Sequence, residues 1–143
     1  MKSRKIFFFI SIPLLFSAKL SFSDIQGSQH DFSNASWNVS GEICKVCHTP
    51  HNSNQDLDGI PLWNHTTTSA TFILYSSDTL EEAPAQPRSV SKSCLSCHDG
   101  TVALDSFGGA MGGAVIAGDA LIGTDLSHEH PISILWTHQS ISG

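Results

Sequence analysis

Residues 44–51 read CKVCHTPH, and residues 94–98 read CLSCH. All four cysteines of the 143-residue chain lie in these two CxxC pairs, and a histidine directly follows each pair. Four chemistries use such pairs. An exported chain with four cysteines commonly forms disulfides, but a bridge within a CxxC pair closes only a tiny loop and adds little loop-closure stabilisation. A redox-active CxxC normally opens a helix in a βαβ unit, and no such unit is visible here. Four thiolates suit zinc, yet the forty-six residues between Cys47 and Cys94 far exceed compact ribbon spacing.

Covalent attachment of haem accounts for the histidines as well, because C-x-x-C-H is its signature. Two thiols add to the two vinyl groups on neighbouring pyrroles of one haem edge, so they must be close and on the same side. The next residue then lies under the porphyrin plane, where an imidazole can bind the iron. With eight histidines in 143 residues, a chance histidine after both pairs is a roughly 0.3 % event, which makes the doubled motif a specific signal. The sequence thus predicts two haem c groups. Cys44 and Cys47 would hold the first, with His48 as proximal ligand; Cys94 and Cys97 would hold the second, with His98.

The rest of the chain fits an exported protein. MKSRK is a basic start, IFFFISIPLLFSA is a short apolar run, and Ser21 and Ser23 occupy the small-residue positions of a cleavage site. This is the pattern of a secretory signal peptide over residues 1–23. The apolar run falls short of the ~20 residues that cross a bilayer and contains Pro13, which argues against a retained anchor. The expected location is therefore periplasmic or extracellular, with no membrane span after cleavage. Residues 24–143 would form a single domain. That segment carries three basic side chains (Lys45, Arg88, Lys92) against thirteen acids, a formal charge of −10 compared with −6 for the whole chain. Such a surface repels nucleic acid and anionic lipid, which excludes nucleic-acid binding, and it steers basic partners.

The expected fold is mostly irregular with short α-helices, a small domain built around its haems. Residues 24–40 are polar and aperiodic, an arm carrying Trp37 inward. The first motif sits on a helical turn stopped by Pro50. ATFILY at 70–75 is the best strand candidate, EEAPAQPRS at 81–89 is an extended linker, and a helix carries the second motif over 91–104. The glycine-rich stretch 108–123 is loop. The apolar side chains left after cleavage are few for 120 residues, and small domains bury too little surface to stand easily on packing alone. Bound cofactors would fill that gap.

The sixth iron ligand separates a carrier from an enzyme. Iron with two protein ligands passes electrons, whereas an open position binds and activates small molecules. His51 lies three residues after His48, too close to reach the opposite face of the same haem but able to reach a neighbouring one. His65 follows Trp63, an aromatic suited to haem packing, and His130 precedes Pro131, which holds its backbone extended. His51, His65 and His130 are the candidates, with His65 paired to the first haem, His51 to the second and His130 competing for either. His30, His128 and His138 stand in polar or terminal stretches and read as solvated. Met111, the sole methionine after cleavage, sits among glycines and reads as mobile, so two bis-His, low-potential haems are expected.

GEICKVCHTPH, PLWNH, SKSCLSCHDGTVALDSFGG and DLSHEHPIS together resemble the multihaem c-type cytochromes with paired CxxCH motifs found in anaerobic and metal-reducing bacteria. The resemblance spans about residues 41–133. It implies electron transfer outside the cytoplasm through closely spaced bis-His haems, with redox proteins, basic or themselves multihaem, as partners. It also implies loops and short helices around the haem array, and His51, His65 and His130 as distal ligands. Longer relatives continue into a further CxxCH motif that this sequence lacks, which leaves one histidine in surplus. The primary expectation is a non-enzymatic dihaem electron carrier. The alternatives are a self-assembling subunit of a haem-stacked filament or larger complex, and a small haem enzyme such as a peroxidase or nitrogen-oxide reductase.

Overall fold

A computed structural model describes residues 24–134. The expected signal peptide, Trp136 and His138 lie outside the described residues. Among the described residues regular structure is sparse: one α-helix, α1 (Ser89–His98), and two single 3₁₀ turns at Phe32–Asn34 and Gly118–Ala120. No helix among the described residues is long and apolar enough to cross a membrane.

Helix α1 follows a proline-containing approach and an extended Arg88 (φ −140°, ψ 171°) that gives no side-chain cap. Its sequence, SVSKSCLSCH, is rich in serine, a mediocre helix former because its hydroxyl competes for the backbone. Here that tendency is used inside the helix. Ser93 and Ser96 are buried and turn their hydroxyls back to the carbonyls of Val90 and Lys92, both at 2.7 Å, so neither is left unpaired. The helix ends earlier than the expected 91–104. Gly100 takes a left-handed φ of 76°, closing the last turn with its amide on the Cys97 carbonyl. The chain then leaves the axis, and the amide of Leu104 bonds Ala114 across the glycine-rich loop at 2.7 Å.

The ATFILY segment is extended, but it is not a strand of a sheet. It makes one parallel bridge, Ile73 to Asp125, through Ile73 N–H to the Thr124 carbonyl (3.0 Å) and Leu126 N–H to the Ile73 carbonyl (2.8 Å). The side-chain amide of Gln86 supplies the pairing that a neighbouring strand would give, accepting from Phe72 N–H and donating to the Phe72 carbonyl, both at 2.9 Å. One side chain from the linker therefore satisfies the backbone of Phe72 while its ring turns inward. Phe72, Leu95 of α1 and Leu126 form the hydrophobic cluster, flanked by Ala70, Leu74 and Ile132. At about 1.5–3 kcal/mol per buried side chain, this is a small driving force for a domain of this length.

Aspartates organise much of what remains. Asp105 accepts from Gly113 N–H and Ala114 N–H, both at 2.8 Å, and pins the glycine-rich loop; a Cβ at Gly112 would collide with that carboxylate. Asp31 accepts from Gly27 N–H (2.8 Å), Ser33 N–H (3.0 Å) and the Ser33 hydroxyl (2.6 Å), folding the N-terminal arm into successive turns. Backbone donation from Ala114 and from Gly27, respectively, holds these two carboxyls below the usual range. The arm is anchored by aromatic contacts, Phe32 on Trp37 at 5.2 Å and Trp37 on Phe107 at 6.4 Å between ring centres.

Candidate functional site

Both CxxCH motifs adopt the same local geometry. In the second, Cys94, Cys97 and His98 occupy the last turns of α1. Positions i, i+3 and i+4 share one helical face, so the two thiols and the imidazole come to the same side. The first motif has no helix around it, yet His48 N–H bonds the Cys44 carbonyl at 2.8 Å, a single i to i−4 turn that yields the same arrangement.

Each motif is clasped by a segment that returns to it later in the chain. At the first, residues 61–64 run antiparallel to 47–49. Thr49 N–H donates to the Leu62 carbonyl (2.8 Å) and Asn64 N–H to the Cys47 carbonyl (2.9 Å), with a bridge between His48 and Trp63. At the second, Ile122 and Gly123 both donate to the His98 carbonyl, at 2.8 and 3.2 Å. The clasps share one more bond. His48 Nδ1 lies 3.1 Å from the Pro61 carbonyl, and His98 Nδ1 lies 2.7 Å from the Ala120 carbonyl. A carbonyl can only accept, so in each ring Nδ1 carries the proton and Nε2 presents its lone pair. In both cases an exposed leucine follows the accepting carbonyl, Leu62 or Leu121.

The thiols are all free, with the first of each pair exposed and the second partly buried. Burial raises the thiol pKa of Cys47 and pushes that of Cys97 up to about 12. The pairs also lie near one another: Asn64 N–H bonds the Cys47 carbonyl at 2.9 Å, and the next residue, His65, brings its Nε2 to 3.6 Å from Cys97 Sγ. Proximity does not make them a zinc site. No three or more His, Cys, Asp or Glu side chains among the described residues are placed to share one ion. A redox dithiol is also poorly served. Cys94 lies in the second half of α1, away from the helix N-terminus whose dipole lowers a thiol pKa.

A haem fits this donor set. It needs two neighbouring thiols on one face, an imidazole with Nε2 free, and apolar surface to cover. Leu62 and Leu121 provide exposed apolar surface beside the two histidines. Trp63, buried between the rings of His48 and His65 at 6.3 Å from each, leaves its indole N–H without a partner.

The three further candidates stand differently. His65 is buried; its Nδ1 lies 2.8 Å from the Thr66 carbonyl, and its Nε2 lies 3.1 Å from the Ala103 carbonyl and 3.6 Å from Cys97 Sγ. It thus sits against the second motif, with both ring nitrogens engaged. His51 is exposed in the turn after the first motif. His130 is exposed and bonds Nδ1 to the Pro131 carbonyl at 3.0 Å, leaving Nε2 free as in His48 and His98. Two features had no sequence signal. Pro61 and Ala120 act through backbone carbonyls, which any residue provides. His30, read as solvated, has its ring centre 6.0 Å from that of His98.

Compared with models of known protein families the chain matches none, and no curated protein sequence matches it significantly.

Proposed function

We propose that this chain is an exported dihaem c-type cytochrome that relays single electrons between protein partners. One observation chiefly supports the reading. Two CxxCH motifs far apart in sequence each hold their histidine by Nδ1 on a backbone carbonyl, with Nε2 unpartnered. That bond is what an iron-ligating histidine requires, because it fixes the tautomer and ring orientation and raises the basicity of the nitrogen facing the metal.

In this reading Cys44 and Cys47 would hold the first haem and Cys94 and Cys97 the second, while His48 and His98 would each offer Nε2 to the iron. The bound haem contributes one-electron exchange at iron. The Pro61 and Ala120 carbonyls fix the two imidazoles, and exposed Leu62 and Leu121 would offer apolar surface to the cofactor. The two motifs meet at Asn64 and His65, the first bonded to the Cys47 carbonyl and the second 3.6 Å from Cys97 Sγ, which would suit electron passage between the attached groups. Of the further candidates, His130 is best prepared as a ligand because its Nδ1 already has a carbonyl partner. The haems would also supply the interior that the Phe72–Leu95–Leu126 cluster leaves small. The acidic surface steers basic redox partners.

Spectra of the exported protein, reduced with and without carbon monoxide, test the carrier assignment. A c-type spectrum that carbon monoxide leaves unchanged is expected. Carbon monoxide binding at both irons would instead indicate open sites and move the protein toward small-molecule chemistry.

A further inference from the structure

We infer that His30 is the second axial ligand of the site built on His98. This rests on the haem reading above and assigns a role to a histidine whose polar surroundings otherwise suggest simple solvation.

The geometry carries the inference. The rings of His30 and His98 are 6.0 Å apart between centres, inclined at 62°. Two imidazoles on opposite sides of one metal ion, each with its nitrogen about 2 Å from it, have ring centres roughly 6 Å apart. The separation is too wide for a hydrogen bond between the rings. His98 commits Nδ1 to Ala120, and among the described residues neither Nε2 of His98 nor either ring nitrogen of His30 has a hydrogen-bond partner. His30 is exposed, so burial in a core does not account for where its ring lies. A haem iron asks the protein for only two ligands. A pair suffices, and no larger cluster is needed.

The arm is built to hold that ring in place. The Asp31 carboxylate takes Gly27 N–H on one side of His30 and Ser33 N–H and hydroxyl on the other, bracketing the residue between bonds of 2.6–3.0 Å. Phe32 meets the His30 ring edge-on at 6.4 Å and is itself seated on Trp37. The buried Asn38 ties the arm down by donating to the carbonyls of Phe32 (3.0 Å) and Glu42 (3.2 Å). His48 has no such companion. Its aromatic neighbour is Trp63, and His30–His98 is the only histidine–histidine ring pair among the described residues. The N-terminal arm therefore closes over the second haem, and it is part of the redox centre rather than a leader to it.

The test is the full-length exported protein carrying His30→Ala, with His128→Ala as control. The variant is expected to retain two haems, while half of the haem absorbance becomes high-spin and responsive to carbon monoxide. Added imidazole should restore the low-spin spectrum, and the control should match the parent. A His30→Ala protein with two haems, both still low-spin and indifferent to carbon monoxide, overturns the assignment and leaves the carrier reading intact. An unmutated protein lacking haem overturns both. Should the variant not accumulate, histidine carbethoxylation of the parent decides. A ligated His30 escapes modification while exposed His128 reacts; a modified His30 in haem-loaded protein contradicts the inference.

Discussion

The two CxxCH halves perform the same local task with different support. The second motif rides on a ten-residue helix whose Leu95 packs into the Phe72–Leu126 cluster, and a glycine turn at Gly100 ends it. The first motif has only the Cys44–His48 turn, steadied by buried Val46 and by the antiparallel return of residues 61–64. Both nevertheless bring two thiols and an imidazole to one face and fix the imidazole through a carbonyl. One turn is therefore enough for this arrangement of side chains. The longer helix of the second half is a consequence of packing, since Leu95 joins the cluster and Ser93 and Ser96 turn inward.

That contrast predicts unequal sensitivity to truncation. Leu95→Ala should cost about 2–5 kcal/mol, because it empties a cluster with few members and little capacity to collapse. Val46→Ala, in the first half, removes two methyl groups outside that cluster and should cost roughly 2 kcal/mol. Urea unfolding of the two variants ranks them; equal losses would mean that the halves share one interior.

A smaller effect separates the two ways of ending a motif. A Cβ at Gly100 would lie 2.6 Å from Leu121 Cδ1 on a backbone with φ +76°, so Gly100→Ala carries both conformational strain and a clash with the clasp. Gly27 has almost the same φ (+75°) with nothing within 4 Å. Gly27→Ala should cost about 1–2 kcal/mol from backbone conformation alone, and Gly100→Ala more. Matching losses would show that Leu121 yields freely and that the second clasp is loose.

The first clasp has its own probe. The Asn64 amide donates to the Lys45 carbonyl, and the Asn64 backbone bonds Cys47 and Gly108. Asn64→Ala should cost about 1 kcal/mol and speed amide hydrogen exchange at residues 47–49 while sparing α1. Faster exchange in both motifs would mean that the clasps are coupled.

The mildest perturbation is acid. Asp31 and Asp105 have folded-state pKa values lowered by backbone donors, so each contributes stability that is complete above the unfolded aspartate pKa of about 3.9. That contribution is lost as pH falls through the lower folded value. The urea midpoint should therefore drop below about pH 4. Asp105→Asn should flatten part of that drop and loosen the glycine-rich loop; an unchanged profile would show that the loop is held by other contacts.

The paired motifs were legible because CxxCH is a fixed spacing of residue types, and Cys44–His48 and Cys94–His98 both carry it; the haem chemistry it suggests remains a proposal. The loop-rich character was equally plain from the prolines, glycines and missing periodicity. Other features depend on interactions that leave no local pattern. ATFILY has the composition of a strand, but the Gln86 amide takes one partner's place. The helix ends at His98 because Gly100 turns left-handed, although the apolar residues beyond it could continue the pattern. The clasps use the carbonyls of Pro61 and Ala120, groups that every residue carries. His30 lies in a polar arm, and only the fold brings it to His98, sixty-eight positions away.

Covalent haem attachment is decided by the intact mass of the purified protein, measured under denaturing conditions beside Cys44→Ala/Cys47→Ala and Cys94→Ala/Cys97→Ala. Two covalently retained haems are expected on the parent and one on each variant. A parent chain at the mass of the polypeptide alone, with its thiols free or oxidised, would contradict that attachment.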